Sequence, residues 1–227
     1  MSRTAASKRT GDLGITKAVY LTGASGSQIN VGQSTFLDNQ TSFTFGARIW
    51  PTSSSMSDLS NWWGYGFESA TNRGYCMRPV GSGSRKLQFF YGNASSTATN
   101  LTIVGKQYIF VEYDGTTLRF YNGTTLTDSF TVNAQRNSSV GVATYYGTRE
   151  PGQRQFTGVL GDTGVYSRVL TAAEKADIVN RAKYPTSGAQ IIYKLNEGTG
   201  TTITDTSGNG RNGTLNSGTW RNSPFNA

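Results

Sequence analysis

The chain has 227 residues, with 21 Lys plus Arg against 13 Asp plus Glu, 28 glycines, one cysteine and no histidine. Without histidine neither a Ser-His-Asp triad nor an imidazole zinc site can be built, and the lone Cys76 permits neither an internal disulfide nor a thiolate cluster. A net charge of +8 favours polyanionic partners, but it is scattered, with no recognition helix, zinc-finger spacing or RNP-like strand, so nucleic acid is not an expected partner.

Residues 1–16, MSRTAASKRTGDLGIT, are small, polar and basic, and they cannot bury enough apolar area to fold alone. They read as an arm in which Arg3, Lys8 and Arg9 concentrate charge, expected to lie on a neighbouring subunit. The arm lacks the apolar core of a secretory signal, and no apolar run reaches the ~20 residues that span a bilayer. Synthesis and retention in a cytoplasm, with no membrane partner, are the expectation.

From Ala18 onward the pattern is that of one β-rich domain, residues 17–227. Strands are expected at Val19–Thr22, Gln28–Val31 and Ser42–Trp50, the last placing Phe43, Phe45, Ala47 and Ile49 on one face and stopping at Pro51. Further strands are expected at Trp62–Phe67, Gly74–Arg78, Lys86–Tyr91 and Leu101–Val104, with Cys76 read as a small buried residue. The surest element is the hairpin of GKQYIFVEYDGTTLRFYNG, residues 105–123. There Asp114-Gly115-Thr116-Thr117 has turn chemistry, and Ile109, Val111 and Tyr113 oppose Tyr108, Phe110 and Glu112 across the strand. Such a strand needs a second layer to cover its apolar face. Asp128–Val132, Ser139–Thr144 and Phe156–Tyr166 continue the series.

Residues 171–183 alone carry a helical signature. Thr171 and Glu174 stand at capping-box spacing, Ile178 and Ala182 follow at helical spacing, and Pro185 lies just beyond. The chain returns to strand at Gln190–Leu195 and runs through a glycine-rich tract to Trp220 and Phe225.

Three stretches, YDGTTLRFYNG (113–123), FTGVLGDTGVYSRVLTAAEKADIV (156–179) and YKLNEGTGTTITDTSGNGRNGTL (193–215), together resemble the laminin-G-like, concanavalin A-like domains over residues 17–220. The resemblance implies an all-β, two-sheet antiparallel jelly-roll sandwich with one short helix. The EGTGTTITDTSGNG-like motif opens many such domains but closes this one, which implies a permuted domain whose last strand sits beside its first.

Function by resemblance divides into several expectations. The glucanase branch carries Glu-x-Asp-x-x-Glu on one strand; here Glu112 and Asp114 are followed by Thr117, so Glu112 reads as a solvated strand residue and no enzyme is expected. No cofactor is expected apart from calcium, for which Asp205, Asn209, Asn212 and Asp162 are the candidate oxygen donors. Gly161 and Asn196 replace acids usual in the pattern, and the Asn-Gly pairs have a sufficient role as turns. For a glycan, Trp62, Trp63, Tyr65, Tyr145, Tyr146 and Arg149 are candidates, since one member of each adjacent aromatic pair faces outward on a strand. Packing on loops is the plainer explanation of those outward rings. The leading expectation is a structural protein of a bacteriophage virion, a head decoration or tail or fibre component whose arm binds coat or tail subunits, with homo-oligomers and polysaccharide as further partners. The alternative is a carbohydrate-binding module or adhesin.

Overall fold

In the computed structural model, residues 13–33, 35–38, 40–52, 62–67, 73–80, 85–91, 94–95, 99–132, 143–148 and 155–226 are described. The strands are β1 (Lys17–Thr22), β2 (Gln28–Gln33), β3 (Phe43–Pro51), β4 (Trp63–Phe67), β5 (Arg73–Val80), β6 (Lys86–Tyr91), β7 (Ala94–Ser95), β8 (Gln107–Tyr113), β9 (Thr117–Asn122), β10 (Thr125–Thr131), β11 (Ala143–Tyr146) and β12 (Thr157–Tyr166). After the helix α1 (Ala172–Arg181) come β13 (Ala189–Tyr193), β14 (Thr202–Ile203), β15 (Gly213–Asn216) and β16 (Gly218–Asn222).

Sheet A runs β10-β9-β8-β3-β12-β1-β16, with β13 also paired to β12, and sheet B runs β14-β15-β2-β11-β4-β5-β6-β7. Every strand pairing is antiparallel, and β16 lies beside β1 with Val19 opposite Trp220. Residues alternate across a strand, so Phe43, Phe45, Ala47 and Ile49 of β3 and Ile109, Val111 and Tyr113 of β8 enter the core between the sheets. From sheet B they meet Trp63, Tyr75, Met77, Leu87, Phe89 and Tyr146. Trp63 stacks on Phe45 at 4.6 Å between ring centroids, and Phe43 packs against Tyr75 at 4.8 Å.

The other face of sheet A carries a second, smaller cluster under α1, built from Tyr108, Phe110, Tyr166, Leu170, Ile178 and Ile192. Gly46 is a requirement of this layer: a Cβ there would stand 2.8 Å from the Phe110 ring. Two ionic contacts also fasten α1 to the sheet. Lys175 Nζ donates to both Glu112 oxygens at 2.8 Å with side chains 7% and 1% exposed, and its ammonium lies 4.0 Å from the Tyr121 centroid. Glu112 is therefore a buried helix anchor and not the solvated residue the sequence suggested. Deep in the same layer, Arg48 pairs with Asp162 at 2.6 Å.

The hairpin and helix follow the sequence closely. Asp114 Oδ1 accepts from the Thr116 and Thr117 amides, which fixes the turn, and Thr171 and Glu174 form the reciprocal capping box. Ala182 closes α1 in the left-handed conformation, φ 48°. Elsewhere the boundaries move. Leu101–Val104 is not a strand: it makes one isolated bridge, Thr102 to Lys86, supplemented by single bonds to Arg85 and Leu87. β10 begins three residues earlier than Asp128 and carries an irregularity between Leu126 and Asp128. Of the expected strand at Ser139–Thr144, residues up to 142 lie outside the described part, and β11 runs on to Tyr146.

Two measurements follow from this packing. Glu112→Gln leaves the Lys175 ammonium buried without its counter-charge and should cost about 3 kcal/mol in chemical denaturation; unchanged stability would show that α1 is not held by this pair. The Arg168 guanidinium, with the Thr171 amide and hydroxyl, holds the Glu174 carboxyl at about 2 against an ordinary 4.5. The folded value is depressed, so this stabilisation is complete above pH 4.5 and fades as pH falls toward 2. Glu174→Gln should therefore unfold earlier at neutral pH, by about 1 kcal/mol for a lost cap, and the gap to the native chain should close in that acid window; a gap independent of pH would contradict the assignment.

Candidate functional site

Since Phe43, Phe45, Ala47 and Ile49 point inward along β3, Arg48 and Trp50 point to the opposite face, Arg48 beneath the C-terminal end of α1 and Trp50 two residues further along. Trp50 stands directly opposite Val159 of β12, which stands opposite Tyr20 of β1. The row Tyr20–Val159–Trp50 thus crosses three strands and sets two partly exposed aromatic rings about 10 Å apart from strand spacing alone. A cation flanks each ring. Arg221 lies 3.8 Å over Tyr20, and Lys106 lies 5.7 Å from the Trp50 centroid.

Beside this row a cleft of about 240 Å³ opens against the C-terminal end of α1, lined by Arg48, Lys106, Tyr108, Asn122, Val179 and Phe225 among others. Arg48 is fixed in its wall. Its Nε pairs with Asp162 Oδ1, while its Nη2 donates to the carbonyl oxygens of Ile178 and Val179 at 2.9 and 2.8 Å. Those carbonyls carry the partial negative charge of the helix end, which favours a cation. The guanidinium also lies 4.9 Å over the Tyr108 ring. Gly161 makes the arrangement fit, because a Cβ there would stand 2.8 Å from the Phe225 ring and 2.9 Å from Arg48 Cβ. The position that resemblance would give to an acid is thus filled by an aromatic ring and an arginine stem.

Behind Arg48, Tyr184 donates to Asp162 Oδ2 at 2.6 Å and Tyr108 bonds to Tyr184 at 3.0 Å. Burial pushes the Asp162 carboxyl up, opposed by the Arg48 guanidinium, and burial likewise raises both tyrosine hydroxyls, which stay protonated. Lys194, lowered by burial, donates to the Ala182 carbonyl at 2.6 Å and lies over Tyr184. No acid with a free oxygen faces the cleft among the described residues.

The residues singled out from sequence go elsewhere. Trp62, Trp63 and Tyr146 are 2%, 0% and 0% exposed within the core, where Trp62 meets Phe156 and Tyr146 meets Tyr193. Rings enclosed in this way offer no face to a sugar, which corrects their reading as glycan contacts. Tyr145 does point out of sheet B, in a cross-strand row with Asn30, Gly64, Cys76 and Phe90, but it too is buried. Cys76 is buried, as a small apolar residue would be. Tyr65 is described by its backbone alone, and Arg149 lies outside the described residues, as do Arg3, Lys8 and Arg9.

The four proposed calcium ligands do not converge. Asp162 is committed to Arg48 and Tyr184. In the loop after β14, Asp205 Oδ1 accepts from the Ile192 and Ser207 amides and Oδ2 from the Ser207 hydroxyl and the Arg211 amide. Asn212 Oδ1 takes the Asp205 amide, and Asn209 directs its Nδ2 donors to the Ala189 and Gln190 carbonyls. Protein donors thus occupy the positions a cation would need, and no group of three acidic or thiol ligands converges among the described residues. Trp50 and Arg48 could have been read from sequence, since they occupy the face of β3 opposite its phenylalanines. Lys106, Asn122, Tyr20 and Arg221 had no local signal; strand register alone gathers them.

Neither a protein-family model nor a curated protein matches the chain. Among solved structures it is similar to a Bacteroides ovatus protein described as a candidate carbohydrate-binding protein, at 19% identity and TM-score 0.66 over 92% of this chain; the match spans 60% of that protein's length. It is also similar to a heptameric SAP-like pentraxin of Limulus polyphemus, at 12% identity and TM-score 0.62, covering 93% of this chain and 97% of that one. A third likeness is to the CBM40 of a Ruminococcus gnavus sialidase bound to α2,3-sialyllactose, at 12% identity and TM-score 0.55, covering 73% and 98%. These likenesses, with the two antiparallel sheets, show the fold to be a two-sheet jelly-roll sandwich.

The Asp205 bonding pattern makes a metal-free prediction. Thermal melts in millimolar calcium and in excess chelator should coincide; a rise in Tm with calcium would mean that the loop opens to admit the ion.

Proposed function

We propose that this chain is a non-catalytic carbohydrate-binding module that holds its ligand on the outer face of sheet A, along Tyr20 and Trp50 and into the cleft beside α1. One observation carries the reading: this face combines partly exposed aromatic rings, a side-chain amide and cations, yet presents no free carboxylate among the described residues. Sugar sites pair apolar or aromatic surface with a few placed polar groups. A glycosidase would need two carboxyl groups roughly 5–10 Å apart with oxygens open to substrate, whereas Asp162 is wholly buried and Glu112 is spent on Lys175.

Support of a coarser kind comes from the solved structures, of which one is described as a candidate carbohydrate-binding protein and another holds a sialyllactose. Neither these two nor the Limulus pentraxin is described as a virion component. The carbohydrate module therefore takes precedence over the reading as a phage surface protein.

The test is a glycan array with the full chain, followed by titration of the hits. Trp50→Ala should weaken binding by about tenfold or more, as loss of a central aromatic anchor does, without shifting Tm by more than a few degrees. Binding unaffected by Trp50→Ala, or an array without hits, would overturn the proposal.

A further inference from the structure

We propose that the cleft receives an anionic group, the carboxylate or sulfate of an acidic sugar, between Arg48 Nη1 and Lys106 Nζ; this rests on the carbohydrate-binding reading of the same face. The argument begins with what Arg48 has left to give. A guanidinium carries five N–H donors. Its Nε faces Asp162 and its Nη2 is taken by the Ile178 and Val179 carbonyls, while Nη1 has no partner among the described residues. The side chain is 7% exposed and pinned on two sides, so Nη1 has a set position and loses little freedom when it binds.

The charge balance of the cleft points the same way. The Asp162 charge is matched by Arg48, and Lys106 and Arg221 have no carboxylate partner among the described residues. The Asn122 side chain likewise makes no hydrogen bond among them and can donate to a bound oxygen. A neutral sugar would leave Lys106 without a counter-charge and Arg48 Nη1 without a charged acceptor beside Tyr108, Val179 and Phe225. A carboxylate or sulfate offers two or more oxygens to those donors, and such charge-assisted bonds are about twice as strong as neutral ones.

Size limits what enters. At about 240 Å³ the cleft is below the ~300–1,000 Å³ of sites that enclose whole small molecules. It suits the charged substituent of one sugar unit, with the rest of the glycan lying along Trp50 and Tyr20. Arg221 over Tyr20 would then meet a second charge further along the chain.

The experiment titrates the full chain with sialyllactose and oligogalacturonate as carboxylated probes, a heparin-derived oligosaccharide as the sulfated one, lactose as the neutral one, and a DNA oligonucleotide of similar charge. Acidic sugars should bind at least about tenfold more tightly than lactose, and Lys106→Glu should weaken them by about tenfold, the scale of one lost bond to a charged group. The same substitution should weaken lactose binding by a clearly smaller factor than it weakens the acidic sugars. Lys183→Glu, at an exposed lysine that does not line the cleft, is the control and should change neither. The carboxylated and sulfated arms identify which group the cleft prefers. Equal binding of neutral and acidic sugars would overturn the inference and leave the carbohydrate reading standing. Equal losses from both lysine reversals, or DNA binding as tight as the acidic sugars, would overturn it in favour of unspecific charge attraction. No binding of any sugar would remove both.

Discussion

The contact on which the outer layer depends is the buried pairing of Arg48 with Asp162 and with the C-terminal carbonyls of α1. A guanidinium and a carboxylate this far from water are tolerable only when nearly every donor and acceptor is matched. Asp162 accepts from Tyr184 and is charge-paired with Arg48 Nε, an ion pair that lacks hydrogen-bond geometry, while Arg48 Nη2 donates to Ile178 and Val179. The network ties β3, β12, α1 and the segment leading to β13 into one body. It also leaves the N–H groups of Arg48 Nη1 without a partner among the described residues, on a side chain that lines the cleft. Under the proposed binding mode, stability and recognition in this region would be two uses of one side chain.

A second constraint is the supply of large aromatic rings. Two sheets facing each other across about 10 Å need bulky residues to fill the space between them, and Trp62, Trp63, Tyr75 and Tyr146 go there with Phe43, Phe45 and Phe89. That demand removes the adjacent aromatic pairs from recognition. Among the rings left partly open, Trp50 and Tyr20 stand on the outward positions of β3 and β1, whose inward positions are filled by Phe43, Phe45, Ala47 and Ile49 and by Val19 and Leu21.

How much of this was legible in the sequence depends on the distance over which the signal acts. The hairpin at Asp114-Gly115 and the helix begun by Thr171 and Glu174 are set by contacts within four residues, and both stand where the sequence puts them. The alternation in β3 fixes which of its residues face outward, so Arg48 and Trp50 were within reach. The solvated reading of Glu112 failed because its partner, Lys175, lies 63 residues away. The strands of the glycine-rich tract failed similarly: β14, β15 and β16 are short, and what makes them strands is pairing with one another, with β2 and with β1. In the Asp205 loop the residue types suit a cation equally well, and it is the direction of backbone amides that assigns them to the protein itself.

The closure of sheet A by β16 on β1 has a further consequence. Tyr20 and Arg221 flank that seam, Trp50 lies two strands inward, and Lys106 begins the hairpin beyond it. A polymer lying across them would span the first and last strands of the sheet and act as a non-covalent staple. Its binding energy would oppose the peeling of an edge strand, the motion by which a sandwich first loses its border to proteases and to aggregation.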